Sequence, residues 1–324
     1  MRIITVILAG KPLFFQIISL FCFFFLSLQQ NSKDYGKQLR FCTMAMKRFF
    51  LATGLLTMVS FVWAEGLRLV WSDEFNGSGA PDSTVWNFEE GFVRNQEAQW
   101  YQTANAWQQD GCLIIEARRE HRGNPSYDPT SSHWGKKREF IDYTSACLTT
   151  AGKKTFLYGR LEVRAKIPTA PGAWPAIWTL GSGMEWPSCG EIDIMEYYRI
   201  DGKPHILANA AWGNDQRFSA VWNSQKIPFA HFIENNPDWA NQFHVWRMDW
   251  NEQYIRIYLD DELLNDIPLS TTVNGSIGKG ENPFKRPQYI LLNLALGGQN
   301  GGFIDDSALP MRYEIDYVRI YQSE

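Results

Sequence analysis

From residue 67 onward the chain breaks into short runs rich in β-branched and aromatic residues, each closed by Gly, Pro, Asn or Asp: 67–71, 112–118, 158–166, 176–180, 191–198, 243–250, 254–259, 289–296 and 313–321. No long run carries helical periodicity, and about 260 residues of such strands predict one antiparallel β-sandwich. Alternation is clearest in Leu161-Glu162-Val163-Arg164-Ala165-Lys166-Ile167, where the charged residues share one face and the apolar ones the other. One face of that strand packs, while the other meets solvent or a cleft. The Gly- and Asn-rich stretch 274–286 reads as a loop, and there is no internal repeat or low-complexity tract.

One run breaks the apolar pattern. Glu191-Ile192-Asp193-Ile194-Met195-Glu196 places three carboxylates within six positions of a β-prone stretch. Strict alternation puts Glu191, Asp193 and Met195 on one face and sends Glu196 into the core, where an unpaired carboxylate costs several kcal/mol. A β-bulge near Ile194-Met195 removes the conflict and returns Glu196 to the acidic face. Glu191 and Glu196 then stand four strand steps apart, roughly 13 Å between backbones. Side chains leaning together close that to the roughly 5–5.5 Å that a retaining glycosidase needs between nucleophile and acid/base. Three like charges this close raise one another's pKa, so a protonated acid sits beside an ionised nucleophile. The competing reading of such a strand is a solvated acidic edge, which the flanking Ile, Met and Tyr residues oppose.

The chain has 324 residues, 15% aromatic, with 14 Trp and a formal net charge of −4. That balance shows no basic footprint for nucleic acid, and nothing in the sequence implies a nucleotide or redox cofactor. So many Trp suggest flat platforms that stack on sugar faces, although core packing can absorb about half of them. Of five cysteines only Cys112, Cys147 and Cys189 follow Ala64, without C-x-x-C spacing or clustered His. A zinc site is not expected, at most one disulfide can form, and Cys189 reads as a packed thiol.

Two apolar tracts precede the strands, 13–28 and 49–62. The second has a basic flank in Lys47-Arg48 and a cleavage site at Val62-Trp63-Ala64, the layout of a signal peptide over 44–64. Met44 and Met46 stand just upstream of it, so residues 1–43 read as an extension from a start codon placed too early, with a membrane anchor at 13–28 as the rival. Either way residues 65–324, read as one domain, are expected to be exported, and a monomer is expected.

Several motifs in order resemble glycoside hydrolase family 16, a β-jelly-roll group of retaining endo-glycanases. The run 191–196 resembles the family's bulged catalytic strand, found in its laminarinase-like members. Trp71-Ser72-Asp73-Glu74-Phe75, Tyr158-Gly159-Arg160-Leu161-Glu162-Val163-Arg164-Ala165-Lys166, Gly172-Ala173-Trp174-Pro175-Ala176-Ile177-Trp178, Leu292-Asn293-Leu294-Ala295-Leu296-Gly297-Gly298 and Ile315-Asp316-Tyr317-Val318-Arg319-Ile320-Tyr321 resemble its other signatures. The resemblance implies a jelly roll with a concave substrate cleft. It makes Glu191 the nucleophile, Asp193 the residue that tunes the pair and Glu196 the acid/base. It also implies Trp174, Trp178 and Trp186 as stacking platforms, Asn95 and Arg164 as polar substrate contacts, and a structural calcium ion held partly by Glu74 and Asp316.

Two departures bear on substrate. Laminarinase-like members usually carry a His in the strand after the catalytic one, where this chain offers Ala211, and a Trp-Pro-Gly-type segment where it has Gln299-Asn300-Gly301-Gly302. The resemblance implies an endo-β-glycosidase acting on β-1,3- or mixed β-1,3/1,4-glucan. The alternatives are an endo-acting β-galactosidase on host O-glycans or galactans, a transglycosylase, and a non-catalytic carbohydrate-binding jelly roll.

Overall fold

The strand Gly159–Lys166 shows how the sequence builds the sandwich. Leu161, Val163 and Ala165 are fully buried, while Glu162, Arg164 and Lys166 stand on the opposite face, as a period of two requires. The same alternation runs through His244–Trp250, with Trp246, Met248 and Trp250 inward. These inward rows meet Ile192, Ile194 and Tyr197 of the acidic strand in one hydrophobic cluster. Burying each such side chain contributes about 1.5–3 kcal/mol. Trp86, Trp246 and Trp250 are spent in this core.

The computed structural model describes residues 66–323. The expected leader, anchor and cleavage site at residues 1–64 therefore lie outside the described residues.

Two sheets enclose the core. One follows the order Ala220–Pro228, Lys203–Gly213, Glu191–Ile200, Ala173–Gly181, Gln288–Leu296, Cys147–Thr149 and Asn87–Phe88, all antiparallel. The other runs Glu262–Pro268, Tyr254–Leu259, His244–Trp250, Gly159–Lys166, Met311–Gln322, Cys112–Gly123, Phe140–Ser145 and Gln99–Tyr101. Arg68–Asp73 joins Met311–Gln322 and Ala106–Gln109 joins Cys112–Gly123 at its sides. One pairing departs from the antiparallel expectation: Gln99–Tyr101 runs parallel to Phe140–Ser145. The stretch 274–286 is irregular apart from two single turns of 3-10 helix, as its composition implies.

The fold overturns two placements. Arg164 points outward from the second sheet and pairs with Asp316, so it is no substrate contact in the cleft. It shares the outer face with Arg160, bonded to Asp249 at 2.6 Å, and Lys166, paired with Glu314 at 2.7 Å. Glu74 and Asp316 form no metal site together either. Glu74 grips the Arg319 guanidinium with both oxygens, at 2.9 and 2.7 Å, and that hydrogen bonding holds its carboxyl below the usual range. With a guanidinium on each carboxylate, the pair does not fit a calcium ion, and among the described residues no cluster of three or more His, Cys, Asp or Glu is arranged for one.

Candidate active site

The acidic strand Glu191–Ile200 lies between Ala173–Gly181 and Lys203–Gly213 in the first sheet. Its register slips on both sides within Asp193–Glu196: Asp193 faces Trp178 and Asn209, whereas Glu196 faces Ala176 and Leu207. The extra residue is a bulge at Ile194-Met195, both fully buried. Both of these apolar side chains thus enter the core, and Glu191, Asp193 and Glu196 all reach one cleft of about 720 Å³.

Each carboxylate in that cleft has a distinct partner. Trp186 donates its indole Nε1–H to Glu191 Oε2 at 2.7 Å, and Trp174 donates to Glu196 Oε1 at 2.8 Å. Asn209 reaches across from the next strand and donates Nδ2 to both Asp193 Oδ2, at 3.2 Å, and Glu196 Oε2, at 3.1 Å. The Ser224 hydroxyl donates to Asn209 Oδ1 at 2.7 Å, so the amide must present its NH₂ to the acids.

These surroundings divide the protons. Burial, then the charges of Glu191 and Glu196, push Asp193 well above the usual carboxylate range, and its carboxyl is hydrogen-bonded to that of Glu191. Glu191 is raised by burial but drawn back by hydrogen bonds from Trp186 and Asp193 and by the positive charge of Arg94. Glu196 is pushed up to about 7, by burial first and then by the charge of Glu191, against the opposing bonds from Trp174 and Asn209. A carboxyl poised there can both give and take a proton near neutrality. The three acids titrate together rather than one by one.

The three expected tryptophans all line the cleft, in different ways. Trp186 is 37% exposed and presents a face to solvent. Trp174 is buried, edge-on to Tyr198 with ring centres 5.6 Å apart. Trp178 is closed off: Arg94 lies over its ring at 5.0 Å, and its Nε1 donates to Asn293 Oδ1 at 2.7 Å. Trp174 and Trp186 therefore act through their N–H groups on the carboxylates, and Trp178 packs. Asn95 is in the cleft as expected, donating to Glu97 Oε1 at 3.3 Å.

Sequence reading missed Arg94, Tyr198, Asn209, Trp222, Ser224 and Lys226 on the cleft walls. Asn209 carried a signal in hindsight, an amide amid Ala208, Ala210 and Ala211 in the strand after the acids. Ala211 sits directly opposite Glu191 in the register, so no side chain longer than a methyl stands beside that carboxylate there. Cys112, Cys147 and Cys189 are free thiols, and burial followed by the charge of Glu191 pushes Cys189 up to about 11, which keeps it inert.

A β-sandwich whose cleft gathers two glutamates across a bulge, one of them poised near neutrality, has the parts of a retaining glycoside hydrolase. Residues 92–319 match the model of the glycosyl hydrolases family 16, and the chain belongs to that family. It is 36% identical over 273 residues to a beta-glucanase of Rhodothermus marinus, covering 79% of this chain and 85% of that protein. A solved endo-1,3-beta-glucanase (laminarinase) catalytic domain of Thermotoga petrophila superposes with a TM-score of 0.65 at 33% identity, covering 81% of this chain and all of that one. Another solved structure, from work on endo-acting O-glycanases with which prominent members of the human gut microbiota initiate mucin breakdown, gives a TM-score of 0.70 at 35% identity, covering 81% and 92%.

Proposed function

We propose that this enzyme hydrolyses internal β-1,3 or mixed β-1,3/1,4 linkages of a glucan with retention of configuration. The observation that carries the chemistry is the pair Glu191 and Glu196, each bonded to its own indole, with Asp193 between them on the same strand face. Glu191 attacks the anomeric carbon while Glu196 protonates the departing glycosidic oxygen, forming a glycosyl-enzyme. Glu196, now ionised, takes a proton from water, which attacks the same carbon and releases Glu191. Asp193, whose carboxyl burial and its neighbours' charges push upward, resists adding a full negative charge beside Glu191. The beta-glucanase and laminarinase relatives support the glucan assignment. The leader-like tract 49–62 supports an exported enzyme.

The similarity to the O-glycanase structure favours a second reading, in which the substrate carries a substituted sugar such as an N-acetylhexosamine. Product analysis of the purified enzyme on laminarin, mixed-linkage β-glucan and mucin-type O-glycans, with Glu191→Gln as the blank, separates the two. Oligosaccharides from either glucan support the first reading, whereas products from O-glycans alone replace it with the second.

A further inference from the structure

The cleft does not end at Asn95. A second hollow of about 720 Å³ adjoins it, and Gln299 lines both. The loop between them, 297–304, is held firmly. Gln299 N donates to Asn95 O at 3.0 Å and Asp305 N to Pro171 O at 3.1 Å. Gly298 sits at φ +65°, and a Cβ there would meet the backbone of Asn95 and Glu97 at 2.9 Å. Across from it, Asn95 and Gln96 both hold φ of 52°, a left-handed conformation that Asn tolerates and Gln rarely adopts, and such conformations cluster at functional sites.

Phe303 stands on this pinned loop and is 81% exposed, beyond any other large apolar side chain among the described residues. Its neighbour Ile304 packs against the core, so the ring is presented from a fixed base. A single exposed ring is ordinary on a protein surface. This one lines a hollow that shares Gln299 with the catalytic cleft, together with Gln96 and Gln299, whose amides find no side-chain hydrogen-bond partner among the described residues. An uncovered aromatic face beside free amide donors and acceptors matches a pyranose ring, apolar on its face and hydroxylated at its rim.

We propose that the hollow is a distal sugar subsite, in which Phe303 stacks on a ring of the substrate chain and Gln96 and Gln299 bond its hydroxyls. The enzyme then favours chains long enough to reach from Glu191 to Phe303. This rests on the reading that the enzyme cleaves a β-glycan, and it identifies that substrate as a long one.

The test compares Phe303→Ala and Phe303→Trp with the wild type on laminari-oligosaccharides of graded length and on laminarin, and on a parallel ladder of poly-N-acetyllactosamine oligosaccharides. Failure of the wild type on the first ladder with cleavage of the second overturns the glucan assignment and leaves the subsite to be judged on the second. On whichever ladder is cleaved, Phe303→Ala should lose on the order of five- to tenfold in kcat/KM on the longest chains, the size of one aromatic stack, and progressively less as the chain shortens. The loss should appear mainly in KM, and Phe303→Trp should restore it. An equal loss at every length, or none at any, overturns the subsite. Because the side chain is exposed, Tm should stay within about a degree of wild type, so misfolding would not mimic the result.

Discussion

The strands Gly159–Lys166 and Glu191–Ile200 lie in opposite sheets, and each lines up charges on one face. On the first the charges alternate in sign with their neighbours: Arg160 with Asp249, Arg164 with Asp316, Lys166 with Glu314. On the second they are all carboxylates, and their direct partners are neutral groups, two indoles and an amide. Opposite charges in contact with solvent relax at little cost or gain. Buried carboxylates with like charges beside them leave no such relief, so they settle by where protons sit, and that distribution supplies the catalytic acid.

The contrast can be broken most severely at the nucleophile. Glu191→Gln should lower kcat by at least about 10⁴-fold while retaining oligosaccharide binding, since no other group can form the glycosyl bond. Near-normal turnover in that variant, measured by reducing-sugar release, would remove the assignment. Asp193→Asn should cost roughly 10- to 100-fold and shift the pH optimum, because a permanent amide no longer titrates with Glu191. An unmoved pH profile would deny Asp193 its tuning role.

Stability should sharpen the comparison on both sheets. The folded-state pKa of Glu196 is raised to about 7, above its unfolded value, so its contribution is favourable below the unfolded pKa and is lost as pH climbs through 7. Glu196→Gln should therefore gain Tm relative to wild type between pH 5 and pH 8, and a gap that narrows over that range would contradict the proton placement. At the small end, Lys166→Ala on the outer strand should change unfolding free energy by no more than about 1 kcal/mol and leave kcat in place. A tenfold loss of turnover there would mean the two sheets are coupled in a way the ion pairs do not show.

Much of this was legible in the chain because its signals are local. Alternation marked Gly159–Lys166, β-prone composition marked His244–Trp250, and three acids in an apolar run marked both the catalytic strand and its bulge, since only an inserted residue keeps Glu196 out of the core. Arg164 misled because its partner, Asp316, lies 152 positions away, and an outward row of charges looks the same whether it faces a cleft or solvent. Ser224 and Lys226 went unseen because they lie on a strand two removed from the acids in the sheet, and nothing in their own neighbourhoods announces it. The tryptophans lay between these cases. Their location was readable, but whether a ring offers its face or its N–H depends on neighbours such as Arg94 over Trp178.

The most direct test is the pH dependence of kcat/KM for wild type and Glu196→Gln, on a natural β-glycan and on an aryl glycoside whose leaving group departs without protonation. Wild type acting on the natural substrate should show an alkaline limb near pH 7. The variant should keep substantial aryl glycoside cleavage and lose that limb. A limb that persists near pH 7 without Glu196, or a wild type already failing near the ordinary carboxylate pKa, would contradict the claim that burial, reinforced by neighbouring acids on one bulged strand, makes the catalytic acid.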